Sequence, residues 1–242
     1  GTQVEDADIA LYVAKSPQAP VRGPIPAEVV SLETKPAYRS RGADAPGEAS
    51  SFYVANVSFD RNGPWLGMAV IKTDDGTEGA RVTPSPVVGQ LPNVAAVGEQ
   101  APKVSTLTPD DVGGDLSQID TRQPPSSMHD VDFADVRGEK PVVLVFATPA
   151  LCQSRVCGPV VDVAEQVKDE VGDGVAFIHN EVFNENDPTK GLRPQLKAFG
   201  LESEPWIFLI NKDGTIQQRI EGALGVEELS AAVEKLKQEN GV

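Results

Sequence analysis

The 242-residue sequence contains two cysteines, and both lie in "VLVFATPALCQSRVCGPVVDVAEQV", residues 142–166. Four residues separate Cys152 from Cys157, between an apolar run and an amphipathic one. Such a pair suits three chemistries: a structural staple, a metal clip, or a dithiol that trades electrons. The chain runs from the apolar segment into a loop holding Cys152, then into a helix beginning near Cys157-Gly158-Pro159, where proline fits a first helical turn. Sulfur at a helix start faces unpaired N–H groups and the positive end of the dipole, which favour the nucleophilic thiolate. A staple closing so short a loop would add only about 2 kcal/mol by chain entropy.

Residues five apart in a regular helix rise ~7.5 Å along its axis, beyond the usual reach of a disulfide. Cys152 is therefore expected on the loop before the helix, folded back over Cys157. Loop exposure and chain order favour Cys152 as the attacking sulfur, with Cys157 resolving. Proximity to the helix start favours the reverse, and the residues alone leave both open.

A structural zinc site would want four ligands. His129 lies 23 residues before Cys152 and His179 lies 22 after Cys157, which matches no finger or ribbon spacing. His129, in "PPSSMHDVDF", reads as solvated, and His179 as a satisfied strand-end histidine. No metal site and no cofactor are expected. "EVFNENDP" and "DVDFADVRGE" read as solvated acidic loops.

The elements around the pair divide the chain into two grammars. Before residue ~95 the periodicity is short and strand-like, broken by proline and glycine. "DIALYVA" (8–14) and "SFYVANVSF" (51–59) alternate, and 65–88 reads as a hairpin turning at Asp75-Gly76. "SPQAPVRGPIPAE" and "SRGADAPGEA" are loops by composition. Residues 1–93 are expected to form an immunoglobulin-like β-sandwich. Its opening looks like a hairpin tip, so a preceding strand is expected upstream of the sequence. "QLPNVAAVGEQAP" (90–102) reads as a linker.

After residue ~97 a buried strand (140–148), an amphipathic helix (158–172) and a second strand (174–183) follow one another. A short helix (192–200), a hairpin turning at Lys212-Asp213-Gly214 (205–222) and a terminal helix (225–240) complete an α/β layer sandwich over 97–242.

At this point residues 97–242 resemble the thioredoxin superfamily. The resemblance rests on the strand–cysteine–helix junction, on "GLESEPWIFLINKDGTI", on the closing helix, and on "VGEQAPKVSTLTPDD", which is similar to extracytoplasmic thiol–disulfide oxidoreductases and redoxins. It implies a thioredoxin-like domain acting on protein thiols and disulfides through Cys152 and Cys157. It implies a cis peptide at Glu204–Pro205, a form that costs little at X–Pro. Glu204, Pro205 and Trp206 would then line a groove that pairs with an extended substrate segment, although Trp206 reads equally well as core filling. A buried acid under the dithiol is also implied, with Glu202, Glu204 and Asp162 as candidates.

Three departures stand out. The cysteine spacer is four residues instead of two, Leu151 stands where a tryptophan is usual, and Trp206 follows the proline. The peroxidase pattern is unmet, since Pro149 and Val145 occupy the positions that need Thr or Ser and Pro. The rival reading is a binding module with a non-catalytic cysteine pair, either for copper, as in chaperones of the cytochrome-oxidase assembly type with His179 the only histidine after the pair, or for a docked protein partner.

The net charge of −15, about −3 before Gly98 and about −12 after it, argues against nucleic acid as a partner. No apolar run approaches the ~18 residues of a membrane span. A β-sandwich joined by a Pro-containing linker suits an extracytoplasmic, bacterial cell-envelope or secreted protein, with a membrane tether upstream as a possible partner element.

Overall fold

The computed structural model describes residues 7–41, 49–89 and 93–242. The chain divides into two compact units, one of Gly1–Ser31 with Ser51–Leu91, the other of Leu32–Ser50 with Pro92–Val242. The expected hairpin tip before Asp8 and the start of the linker at 90–92 fall outside the described residues.

In the first unit the strands are β1 (Asp8–Ala14), β2 (Arg22–Pro26), β3 (Glu28–Ser31), β4 (Ser51–Val54), β5 (Gly63–Pro64), β6 (Leu66–Thr73), β7 (Gly76–Arg81) and β8 (Val87–Val88). Sheet order β2-β1-β6-β7 is antiparallel throughout, and β3-β4 and β5-β8 form two further antiparallel ladders. Thr73 pairs with Gly76, so the β6–β7 turn is Asp74-Asp75, one residue earlier than its sequence suggests. "DIALYVA" becomes β1 because period-2 apolarity suits a half-buried sheet. By contrast, "SFYVANVSF" is strand over Ser51–Val54 alone, and "SPQAPVRGPIPAE", read as a loop, carries β2 as an edge strand that tolerates proline. These ladders define an antiparallel β unit and do not by themselves define an immunoglobulin topology.

The second unit carries α1 (Phe133–Val136), β9 (Val142–Phe146), α2 (Cys157–Val171), β10 (Ala176–Asn180), α3 (Pro194–Phe199), β11 (Trp206–Ile210), β12 (Ile216–Glu221) and α4 (Val226–Asn240). Its sheet runs β10-β9-β11-β12, with β9 and β10 parallel and β11 antiparallel to both β9 and β12. This is the thioredoxin-like arrangement that the resemblance implies. All five residues of β9 are fully buried, as a continuous apolar strand covered on both faces must be. Val143, Val145, Ile207 and Leu209 join the apolar stripes of α2 and α4 in one core. The alternate residues Phe146 and Phe208 meet Phe199 and, through it, Phe133 on the other face.

Three expectations are corrected here. Residues 32–50, assigned by sequence to the first domain, belong to the second unit. Lys35 N donates to Gln166 Oε1 at 2.8 Å, and Ser40 N donates to Asp162 Oδ2 at 2.9 Å. Arg122 Nε completes the arrangement by donating to Asp162 Oδ1 at 2.7 Å. This polar strap buries the face of α2 opposite its apolar stripe, so Asp162 and Gln166 are buried although polar.

The described part of the expected linker is no free tether. Ala95 N bonds Phe199 O at 3.0 Å, Gly98 N bonds Ile216 O at 2.8 Å, and Ala101 N bonds Gly214 O at 2.9 Å. Gly200, left-handed at φ 70°, ends α3 under this segment, and a Cβ there would sit 1.5 Å from Asn93 O. Finally, "DVDFADVRGE" contains helix α1, whose Phe133 and Val136 are buried.

Candidate functional site

Cys152 and Cys157 are joined in a disulfide, with Cα atoms 6.0 Å apart. Cys157 is the first residue of α2 and is 0 % exposed, whereas Cys152 lies in the preceding turn and is half-buried. The loop returns on itself through Arg155, a non-glycine residue at φ 61°. Ser154 Oγ lies 3.1 Å from Cys152 Sγ and 3.9 Å from Cys157 Sγ. The four-residue spacer thus lets the first sulfur leave the helix and fold back, as spacing alone demands. No side chain caps the start of α2, so the sulfur of its first residue lies where the orphan N–H groups concentrate.

The peptide between Glu204 and Pro205 is cis. A carboxylate oxygen of Glu204 lies within 4.8 Å of both cysteine sulfurs. Thr148 N, just past the end of β9, donates to Glu204 Oε2 at 2.7 Å. Burial pushes the Glu204 carboxyl up to about 7, with the Glu181 charge adding and the Thr148 hydrogen bond and His179 opposing. An acid with that affinity beside a dithiol can accept or return the thiol proton at neutral pH. A cavity of about 360 Å³ adjoins it, lined by residues that include Leu151, Gln153, Phe183, Leu196 and Glu202.

Of the two readings of Trp206, groove residue and core filling, the ring takes the second. It is 4 % exposed, its ring stacks on Phe208 with centroids 5.9 Å apart, and its Nε1 donates to Ser203 Oγ at 3.0 Å. Its β11 register puts it on the same face as Phe208, two residues on, so the aromatic layer claims the ring. Pro205 is buried, and its carbonyl accepts from Gly222 N at 2.9 Å. Of the other acid candidates, Glu202 is exposed and Asp162 is engaged by Arg122 and Ser40.

Sequence reasoning missed a buried polar layer contributed by residues 120–129 and the end of β10. His129, expected in solvent, is 3 % exposed. Its Nε2 lies 2.9 Å from Asp120 Oδ2, and His179 Nδ1 lies 3.3 Å from the same oxygen. His179 Nε2 lies 3.0 Å from Ala147 O. Burial works against charge on both His179 and Asp120, yet their attraction and hydrogen bonding win: His179 rises to about 9, and Asp120 falls far below the usual carboxylate range. Glu181, also read as solvated, is buried and accepts from Thr121 N at 2.6 Å and Thr121 Oγ1 at 2.8 Å. Thr121 Oγ1 in turn accepts from Ala150 N at 3.0 Å, which ties this layer to the cysteine loop. The segment "DLSQIDTRQPPSSMHD" has no period to announce this burial; only its density of charged and hydroxyl residues hinted at a polar network. His179, the histidine a copper reading needs, is engaged by Asp120 and Ala147, while the acid within reach of the sulfurs is Glu204.

No family model and no curated protein matches the chain. Among solved structures, a thioredoxin-family thiol:disulfide interchange protein from Chlorobium tepidum aligns at 17% identity and TM-score 0.41, over 59% of this chain and 99% of its own. A thioredoxin-like superfamily protein aligns at 17% identity and TM-score 0.38, over 56% of this chain and 96% of its own.

Proposed function

We propose that the second unit is a thiol–disulfide oxidoreductase acting on protein disulfides through Cys152 and Cys157. One observation carries this reading: a half-buried sulfur is bonded to a buried one at a helix start, with the Glu204 carboxyl in reach of both. In the reducing direction, the Cys152 thiolate attacks a substrate disulfide, forming a mixed disulfide and releasing one substrate thiolate. The Cys157 thiol gives its proton to Glu204 and attacks Cys152 Sγ, releasing the second substrate thiolate. The substrate gains two electrons and the protein ends in the disulfide form. The reverse sequence oxidises a substrate dithiol, and Glu204 then returns the proton to Cys157. The exposure difference supports attack by Cys152 and resolution by Cys157. The backbone around Glu204–Pro205 flanks the groove for an extended substrate segment, and Trp206 supports it from within the aromatic layer.

The same reading puts the protein outside the cytoplasm, in a bacterial cell envelope or secreted, and the β-rich unit that accompanies the redox unit supports it. In this reading the β-rich first unit is an immunoglobulin-like companion of the redox unit.

The test is thiol exchange by reduced protein with insulin or a small disulfide. Wild type is expected to turn over, and Cys152→Ser and Cys157→Ser to lose turnover. Cys157→Ser, which keeps the accessible sulfur, is expected to accumulate a mixed disulfide; Cys152→Ser is not. A wild type that exchanges nothing and instead takes up one equivalent of Cu(I) overturns the reading.

A further inference from the structure

The Asp120 cluster has a geometry that the exchange chemistry does not use. Four polar atoms from four side chains converge in a buried space: Asp120 Oδ2, His129 Nε2, His179 Nδ1 and Ser126 Oγ. The two ring nitrogens lie 2.9 Å and 3.3 Å from the Asp120 oxygen. Ser126 Oγ lies 3.4 Å from the His129 nitrogen and 3.3 Å from the His179 nitrogen. A tetrahedral zinc ion bound at about 2.0–2.1 Å sets its ligand atoms ~3.3 Å apart. The four measured edges scatter around that length.

We propose that this cluster is a structural site for one divalent transition-metal ion, zinc foremost, with His129 Nε2, His179 Nδ1 and Asp120 as ligands and Ser126 Oγ closing the fourth position. Charge supports it: a carboxylate that is 2 % exposed needs a cation. An imidazolium can meet that need, but the geometry offers more: two ring nitrogens stand within 3.3 Å of the same carboxylate oxygen, and the Ser126 hydroxyl lies within 3.4 Å of both nitrogens. The surrounding bonds support it as well. His179 Nε2 lies 3.0 Å from Ala147 O, which fixes the ring and frees Nδ1. Asp120 Oδ1 accepts from Arg122 N at 2.8 Å, and Asp120 Oδ2 accepts from Ser126 N at 2.7 Å. Partners of this kind orient metal ligands and raise their basicity. The donor set is nitrogen and oxygen without thiolate, which favours zinc over Cu(I). The site would tie residues 120–129 to β10, the segment of the unit that has no apolar stripe of its own.

This inference is independent of the exchange reading, because the cysteines stay in their disulfide throughout its test. Oxidised full-length protein is stripped with chelator, equilibrated with Zn(II), separated from free ion and analysed for metal. One zinc per chain and a raised melting temperature are expected. Co(II) in place of Zn(II) should give tetrahedral ligand-field bands without thiolate charge-transfer absorption, a readout on the wild type that needs no variant. His129→Ala and His179→Ala should weaken uptake at least ~100-fold, and the Cys152→Ser/Cys157→Ser double variant should bind as wild type does. Oxidised wild type that retains no zinc and shows no cobalt bands overturns the proposal. So does binding that vanishes with the cysteines and survives His129→Ala.

Discussion

Glu204 and Asp120 are both carboxylates withdrawn from water within the second unit, and their neighbours drive them in opposite directions. Glu204 receives one backbone hydrogen bond and has an anionic neighbour in Glu181, so burial wins and its carboxyl holds a proton up to about pH 7. Asp120 receives backbone N–H bonds on both oxygens and stands beside two imidazoles, so attraction wins and it stays ionised. The first arrangement keeps a proton mobile beside a disulfide. The second fixes a charge and holds three segments together. Burial alone decides neither role; the sign and number of partners do.

The comparison breaks most visibly at Asp120. Asp120→Ala strands Arg122 N, Ser126 N and two ring nitrogens, and is expected to cost about 3–5 kcal/mol in urea unfolding. A loss below ~1 kcal/mol would show that the cluster does not depend on its acid. Arg122→Ala sharpens the same point with a third acid, since it leaves Asp162 buried beside Ser40 without its cation. A loss of about 3 kcal/mol is expected, with faster amide exchange confined first to residues 38–41. Unchanged exchange there would mean that the strap is held without the ion pair.

Glu204→Gln should behave in the opposite sense. The Glu204 carboxyl titrates near 4.5 when unfolded and about 7 when folded, so the folded state holds the extra proton between those values. Its contribution is fully present below pH 4.5 and is lost as pH rises through 7. The glutamine variant should therefore match wild type at pH 4 and exceed it at pH 8, by up to ~3 kcal/mol. Its exchange rate should lose the inflection near pH 7. Equal stability at both pH values would place Glu204 in water. Smallest of all is Lys35→Ala, which removes the exposed 2.6 Å pair with Glu170. A change of no more than ~0.5 kcal/mol is expected by thermal melt, and a larger one would show that the strap's surface charges matter as much as its buried ones.

The apolar scaffold was legible in the chain. Val142–Phe146 could only be a strand covered on both faces, and Val160, Val163, Ala164 and Val167 could only line a helix against it. The cysteine loop was legible for a covalent reason: five helical positions exceed the span of a disulfide, so Cys152 had to lie off the helix. The strap and the polar layer were not legible. Lys35 and Ser40 bond to the polar face of α2 with no periodicity to announce it, and Asp120, Arg122, Ser126 and His129 are buried although their segment reads as polar. Trp206 read equally as groove residue or core, and only the register of β11 beside Phe208 decided for the aromatic layer.

By itself, then, the sequence determined the buried strands, the long helices α2 and α4 and the place of the thiols, because apolar periodicity and covalent reach are properties of neighbouring residues. Tertiary structure decided which acid faces the sulfurs, which histidines share a carboxylate and what covers α2. Hydrogen bonds and buried ion pairs join residues as far apart as Ser40 and Asp162 or Asp120 and His179. A polar residue carries no local mark of the distant partner that will bury it.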